Sequence, residues 1–195
     1  MDVILEGTGC VGKTSASKRL PGYVCEVSKG FGRTARKLLI TNEFFETGNS
    51  ELETILLAID WNTKIAESTG RSPHIFDRGF YSIMAYQSVK EHLRSGISLE
   101  VAAVNVMQIY DLVSDVMGII IPKAKTILLT ADKKTLAARY VERNKCMRGA
   151  SIDVLLAIQD FYLEFKQQSW LQLDTSNLEI NEVSEYILSV VQNGS

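Results

Sequence analysis

A short stretch at the start of the chain carries a residue pattern that can bind a phosphate group. Residues 3–15 have the sequence VILEGTGCVGKTS, which matches G-x-x-x-x-G-K-[ST] at Gly7, Gly12, Lys13 and Thr14. The glycines let successive backbone N–H groups point at one spot, and a helix that begins at Lys13 directs its positive end there. The pattern therefore predicts a phosphate-binding P-loop over residues 7–14.

Lys13 and Thr14 supply the side chains that phosphate chemistry needs. The Lys13 ammonium is predicted to reach the β and γ phosphates of a nucleotide, and the Thr14 hydroxyl to be one ligand of the Mg²⁺ that bridges them. The motif also requires a strand before it and a helix after it. Both are predicted, because an apolar run precedes Gly7 and a helix-compatible segment follows Thr14.

The chain alternates short apolar runs with longer helical patterns, which is typical of a parallel α/β sheet covered by helices. The five predicted strands are 3–5, 23–27, 74–77, 126–130 and 170–173. The first predicted helix follows the P-loop, the second extends from Ser50 to Gly70, and two more cover about 81–94 and 99–116. A fifth helix runs from a cap at Asp132 to about Asn144, and a sixth starts at Ser151. The last helix runs from a cap at Asn181 through Val191.

Polar residues follow the ends of several predicted strands. Glu6, Gly7, Glu26, Asp77 and Asp132 all lie at or just after such an end. Ligands of parallel sheets bind at the carboxyl ends of the strands. We therefore expect these residues to converge on one crevice.

The composition limits the classes of function. The chain has 195 residues, 46% of them hydrophobic and 23% charged, which suits one soluble domain with a sizeable core. The formal charge of −2 argues against binding of a nucleic acid polymer through the overall field. Cys10, Cys25 and Cys146 lack metal-type spacing, which indicates free thiols in a reducing compartment. With no leader pattern and no apolar run long enough to span a bilayer, we expect a cytoplasmic protein that does not bind membranes.

Several segments together resemble one enzyme family. Residues 75–87, IFDRGFYSIMAYQ, are similar to the Asp-Arg-x-x-x-Ser-x-x-Ala-Tyr-Gln segment of thymidylate kinases. Glu26 with residues 30–34 and 36–39 resembles their Glu-Pro-Gly-Gly-Thr loop and Arg-x-Leu-Leu helix. Further similar segments are the opening with Glu6 and the P-loop, residues 56–60, residues 128–132, and the series Arg139, Arg143 and Arg148. The resemblance to the thymidylate kinase family covers nearly the whole chain in the right order.

This resemblance implies a three-layer P-loop kinase fold over residues 1–195, with a short arginine-containing lid at about 143–150. It implies ATP and Mg²⁺ as cofactors, nucleotides as substrates and a homodimer, for which the apolar helix 99–116 is a candidate face. The implied ATP-binding residues are Gly7, Thr8, Gly9, Cys10, Val11, Gly12, Lys13, Thr14, Ser15 and Arg139.

The resemblance also implies how the acceptor is held. Arg78 and Arg36 would hold the 5′-phosphate of a nucleoside monophosphate, because a guanidinium fork suits an oxyanion. The implied catalytic residues are Lys13, Asp77, Arg78, Arg143 and Arg148, and the implied Mg²⁺ ligands are Thr14 and Asp77. The implied substrate-binding residues are Glu26, Arg36, Trp61, Arg78, Ser82, Tyr86 and Gln87.

Three departures from the family pattern leave the base selectivity open. Gly9 stands where the family has an acidic residue, and Cys25 and Trp61 replace arginines. The arginine that Trp61 replaces contacts the base in the family, and a tryptophan there suits either a helix core or stacking on a base. Ordinary structural roles are also open for Glu26, Tyr86, Arg139 and Arg143.

The leading hypothesis is a nucleoside monophosphate kinase that moves the γ-phosphoryl group of Mg-ATP to a deoxynucleoside monophosphate, with dTMP favoured. The competitor is a deoxynucleoside kinase, in which Glu26 takes the proton from a 5′-hydroxyl. A nucleotide-binding sensor without turnover stays open because family positions are altered. A regulatory GTPase is disfavoured, since residues 144–147, NKCM, lack the aspartate of Asn-Lys-x-Asp.

Overall fold

A computed structural model describes residues 1–20, 24–27, 50–68, 73–118, 124–144 and 151–193. The side chains of residues 24–27, 67, 68 and 144 are not among the described atoms. Of the predicted site residues, Arg36 and Arg148 lie outside the described residues, as does most of the predicted lid. Glu26 is described only as part of the backbone.

The sheet has five parallel strands, as predicted, and their order is β2-β3-β1-β4-β5. The strands are β1 (Asp2–Glu6), β2 (Val24–Val27), β3 (His74–Asp77), β4 (Ala124–Thr130) and β5 (Leu171–Asp174). Val3, Leu5, Ile75 and Ile127 are fully buried. Continuous burial of the central strands is what a parallel sheet covered by helices requires, which confirms the predicted α/β class.

The helices flank this sheet or pack on one another. They are α1 (Lys13–Ser17), α2 (Ser50–Ser68), α3 (Phe80–Ser95), α4 (Leu99–Met117), α5 (Lys133–Asn144), α6 (Ile152–Phe165) and α7 (Ile180–Gln192). Asp132 caps α5 as predicted, since its carboxylate accepts the Thr135 N–H at 2.7 Å. None of these helices is both long and apolar enough to cross a membrane.

The predicted cap of the last helix is wrong by two residues. Glu179, not Asn181, occupies the N-cap of α7, and it forms a reciprocal capping box with Glu182. The two glutamates thereby accept hydrogen bonds from two backbone N–H groups of the helix start, whereas a single Asn cap would leave one of the two to water. Asn181 instead accepts a hydrogen bond from Arg19 at 2.5 Å.

The chain divides into two compact units. The first comprises Met1–Val27, Ser72–Arg78 and Lys123–Ser195, and therefore holds the whole sheet with α1, α5, α6 and α7. The second comprises Ser28–Arg71 and Gly79–Pro122, and holds α2, α3 and α4. In the second unit, Lys90 and Glu53 form a buried ion pair. A single domain over the whole chain stays a prediction.

Gly7 begins the P-loop in a backbone conformation that other residues rarely adopt. Its φ is +131°, and a Cβ at this position would lie 2.3 Å from the Leu129 carbonyl oxygen on β4. Gly12 also has a positive φ, of +96°, but the nearest atom to a Cβ there is Ile180 Cδ1, at 3.6 Å. Of these two glycines, only Gly7 is therefore restricted both by its backbone conformation and by the space around it.

We predict that Gly7→Ala lowers the free energy of unfolding by about 3 kcal/mol, because strain and a clash with backbone act together. Gly12→Ala is the matched control and should cost about 1 kcal/mol, since it adds strain alone. Urea denaturation followed by circular dichroism measures both values. Equal losses for the two variants would contradict the close approach of Gly7 to β4.

Candidate active site

The P-loop connects the end of β1 to the start of α1 in the first unit. Lys13 is only 4% exposed. Its Nζ donates to the carbonyl oxygen of Gly7 at 2.7 Å and to that of Thr8 at 2.6 Å. The loop therefore curls around the ammonium group, and the contact of Lys13 with nucleotide phosphates stays a prediction.

The Lys13 ammonium lies among charged groups at the edge of the sheet. Burial and, second to it, the Arg78 guanidinium lower the pKa of Lys13 from 10.5 to about 7, and the Asp77 and Glu6 carboxylates oppose the shift. An anion nearby favours the charged form of a lysine. A phosphate group at this position would therefore stabilise the cation that the protein alone disfavours.

Thr14 and Asp77 have the oxygen atoms that a Mg²⁺ ion prefers. The Thr14 hydroxyl donates to Asp77 Oδ2, and Asp77 is 4% exposed. The buried Oδ1 of Asp77 has no hydrogen-bond partner among the described residues. Hard oxygen donors of this kind fit Mg²⁺, which takes one or two protein oxygens and completes its shell with water and phosphate. No cluster of three or more His, Cys, Asp or Glu forms another metal site in the described part of the chain.

Arg78 follows β3 in a strained conformation. Its φ is +83°, and its backbone N–H donates to the Leu5 carbonyl on β1 at 2.9 Å. Its guanidinium Nη1 lies 3.5 Å from the Gly7 carbonyl oxygen. Strained residues of this kind cluster at functional sites. The geometry therefore puts the Arg78 guanidinium beside the P-loop, and its contact with an acceptor phosphate stays a prediction.

The middle of the P-loop contacts α5 and α6. The Thr8 hydroxyl donates to the Leu155 carbonyl on α6 at 2.8 Å, and a Cβ on Gly9 would lie 3.1 Å from a Leu155 methyl group. The acidic residue that the thymidylate kinase family has at the Gly9 position therefore fits only if Leu155 moves. Arg143 of α5 is exposed, and its Nη1 lies 3.9 Å from Cys10 Sγ.

Two further contacts near the P-loop join the ends of β1 and β5 to helices α6 and α5. The Tyr162 hydroxyl on α6 donates to Glu6 at 2.8 Å, and Glu6 is fully buried. Arg139 donates from Nη1 to the Thr175 hydroxyl at 2.9 Å and from Nη2 to the Thr175 carbonyl at 2.7 Å. Arg139 is among the expected ATP-binding residues and Glu6 among those expected at the crevice, whereas no sequence pattern indicates Tyr162.

Four other predicted substrate-binding residues, Trp61, Ser82, Tyr86 and Gln87, belong to the second unit. Trp61 and Ser82 are buried and Tyr86 is half-buried. Gln87 is 1% exposed, and neither atom of its side-chain amide has a hydrogen-bond partner among the described residues. It lines a cavity of about 300 Å³, together with Glu91 and other residues of α2, α3 and α4. Trp61 and Ser82 are not among the residues that line this cavity.

The Lys13 pKa predicts a pH dependence of stability. Between pH 7 and 10.5 the folded protein binds fewer protons at Lys13 than the unfolded chain, so this residue makes the free energy of unfolding rise with pH. Lys13→Met removes the contribution. The stability of the variant relative to the wild type should therefore be highest near pH 7 and decline toward pH 10.

Urea denaturation at several pH values measures this difference. The exposed Lys18 provides the control, and Lys18→Met should leave the pH profile unchanged. A constant difference between Lys13→Met and the wild type would contradict a destabilised buried cation.

Solved structures share this fold, although no protein-family model matches the sequence and no curated protein matches it. Two structures of the deoxyadenosine kinase from M. mycoides, one with dCMP and dCDP and one with dATP, superpose with TM-scores of 0.66 and 0.68 at 15% and 16% identity. They align over 99% and 98% of this chain and 100% of that one. Thymidylate kinase from Candida albicans gives a TM-score of 0.61 at 17% identity, over 99% of this chain and 91% of that one. The chain therefore has the P-loop kinase fold of these proteins.

Proposed function

We propose that this protein is a nucleoside monophosphate kinase that transfers the γ-phosphoryl group of Mg-ATP to a deoxynucleoside monophosphate, with dTMP as the favoured acceptor. The observation that carries the proposal is the cluster of Lys13, Asp77, Thr14 and Arg78 at the end of β1 and β3. The fold shared with a thymidylate kinase and a deoxyadenosine kinase supports a phosphotransferase of nucleosides or nucleotides.

The proposed mechanism relies on positioning and charge neutralisation. The P-loop amides and Lys13 hold the transferring phosphoryl group and the neighbouring phosphate of ATP. Thr14 and Asp77 would hold Mg²⁺, which supplies further neutralisation when bound. Arg78 binds the acceptor phosphate, and Arg143 adds positive charge next to Gly9. Because the acceptor phosphate is already an anion, the reaction needs no strong general base.

A deoxynucleoside kinase is the second candidate function. The superpositions on deoxyadenosine kinase, with TM-scores of 0.66 and 0.68, favour it. In that case the acceptor is a neutral 5′-hydroxyl, and a carboxylate must take its proton. Glu26 lies one residue before the end of β2 and pairs in register with Phe76, so it is the candidate base.

The two candidates predict different acceptors. We expect purified protein with Mg-ATP to convert dTMP to dTDP and to leave thymidine unchanged, with chromatography of the nucleotides as the readout. A panel of the other deoxynucleoside monophosphates and deoxynucleosides defines the base. Lys13→Met should lower the rate about 10²- to 10³-fold, as expected for loss of one phosphate-binding group.

Each other outcome of this assay selects an alternative. Phosphorylation of deoxynucleosides but not of their monophosphates would replace the proposal with the deoxynucleoside kinase. Binding of ATP without turnover of any acceptor would favour the sensor.

Arg78 provides a test of the acceptor site. Arg78→Met should raise the KM for dTMP about tenfold or more while changing the KM for ATP less, because the guanidinium is assigned to the acceptor phosphate. Arg19→Met, at an exposed arginine, is the control. A larger effect on ATP than on dTMP would show that the two phosphate sites have been exchanged.

We also propose a homodimer in the cytoplasm. The resemblance to thymidylate kinases implies the dimer, and α4 has an exposed apolar surface on which a second copy can pack. Its large exposed apolar residues are Val101, Val104, Met107, Leu112 and Val116. The base contacts of Trp61, Ser82, Tyr86 and Gln87 likewise stay proposals.

A further inference from the structure

Thr175 has an unusual number of hydrogen bonds for one small buried residue. It directly follows β5 and is 1% exposed. Its backbone N–H donates to the Thr130 carbonyl at the end of β4 at 2.8 Å. The single proton of its hydroxyl has two acceptors within reach, the same carbonyl at 2.9 Å and the carbonyl of Val11 in the P-loop at 3.2 Å, so the two carbonyls share one donor. Because the side chain is buried against protein carbonyls, it is not available to contact a nucleotide.

The contact with Val11 bears on how the P-loop presents its amides. The carbonyl of a trans peptide points opposite to the N–H of the following residue. A Val11 carbonyl held toward Thr175 therefore directs the Gly12 N–H to the other side of the peptide plane. Anion binding by a P-loop depends on such backbone N–H groups pointing together.

The same residue also holds α5. Arg139 donates to both the hydroxyl and the carbonyl of Thr175, at 2.9 and 2.7 Å. Arg143 lies one helical turn further along α5, on the same face, and its Nη1 is 3.8 Å from the position of a Cβ on Gly9. The place of Arg143 beside the P-loop thus depends on where Arg139 is fixed.

We propose that Thr175 is a positioning residue that fixes the P-loop at Val11 and, through Arg139, fixes the helix that carries Arg143. Arg139 then acts through Thr175 rather than by direct contact with ATP. The effect on ATP binding rests on the proposed function, but the effect on the P-loop backbone does not.

Hydrogen exchange of the full-length protein tests the backbone effect. Thr175→Val keeps the shape of the side chain and removes the hydroxyl, and it should speed exchange of the amides of residues 9–14 at least tenfold. Thr175→Ser restores the hydroxyl and should stay within threefold of the wild type. Ser184→Ala is the control, because the Ser184 hydroxyl bonds Ala16 and Ile180 and does not touch the P-loop. Wild-type exchange rates in Thr175→Val would overturn the proposal.

Binding of Mg-ATP measured by calorimetry tests the functional effect. Thr175→Val and Arg139→Met should each raise the Kd, about tenfold for the first, and the two effects together should be smaller than their product, because Thr175→Val removes only the hydroxyl and keeps the backbone carbonyl that accepts from Arg139. If the fold-increase in Kd of the double variant equals the product of the two single-variant increases, the link through Thr175 is overturned. If Thr175→Val does not fold, wild-type affinity in Arg139→Met overturns it instead. Faster P-loop exchange in Thr175→Val, with no ATP binding by the wild type, would reject the proposed kinase and leave the positioning role intact.

Discussion

The buried ammonium group of Lys13 is the interaction on which the site depends. Two carbonyl groups of the P-loop hold it at 2.7 and 2.6 Å, and burial with the nearby Arg78 guanidinium makes its charge unfavourable. An anion that binds beside this group offsets the cost of its charge, because an anion raises the pKa again. The protein therefore places an incompletely neutralised cation where a phosphate is expected.

The packing of the sheet keeps the groups around this cation in place. β1, β3 and β4 are adjacent and buried, so their carboxyl ends bring Glu6, Asp77 and the P-loop to one edge. Gly7 passes so close to β4 that a side chain would not fit. The close packing of these buried strands fixes where Glu6, Asp77 and the P-loop lie relative to one another.

Much of the fold could be predicted from the sequence because its signals are local. The apolar runs of β1, β3 and β4 and the P-loop motif are contained in windows of a few residues, and each lies within two residues of the predicted place. The cap of α7 could not be predicted, because Glu179 is not a usual N-cap residue and acts only together with Glu182. The contacts of Thr175 and Leu155 with the P-loop could not be predicted for a different reason. Their bonds to the P-loop span 164 and 147 positions of sequence, and no local pattern contains such contacts.

Titration of the Lys13 ammonium group shows whether its charge is unfavourable in the free protein. Nuclear magnetic resonance of the protein with labelled lysine, assigned with Lys13→Met, follows the Lys13 side chain as the pH changes. We expect the pKa of Lys13 to be about 7 in the free protein and to rise when Mg-ATP is added. An ordinary lysine pKa in the free protein, or a low value that Mg-ATP leaves unchanged, would contradict it.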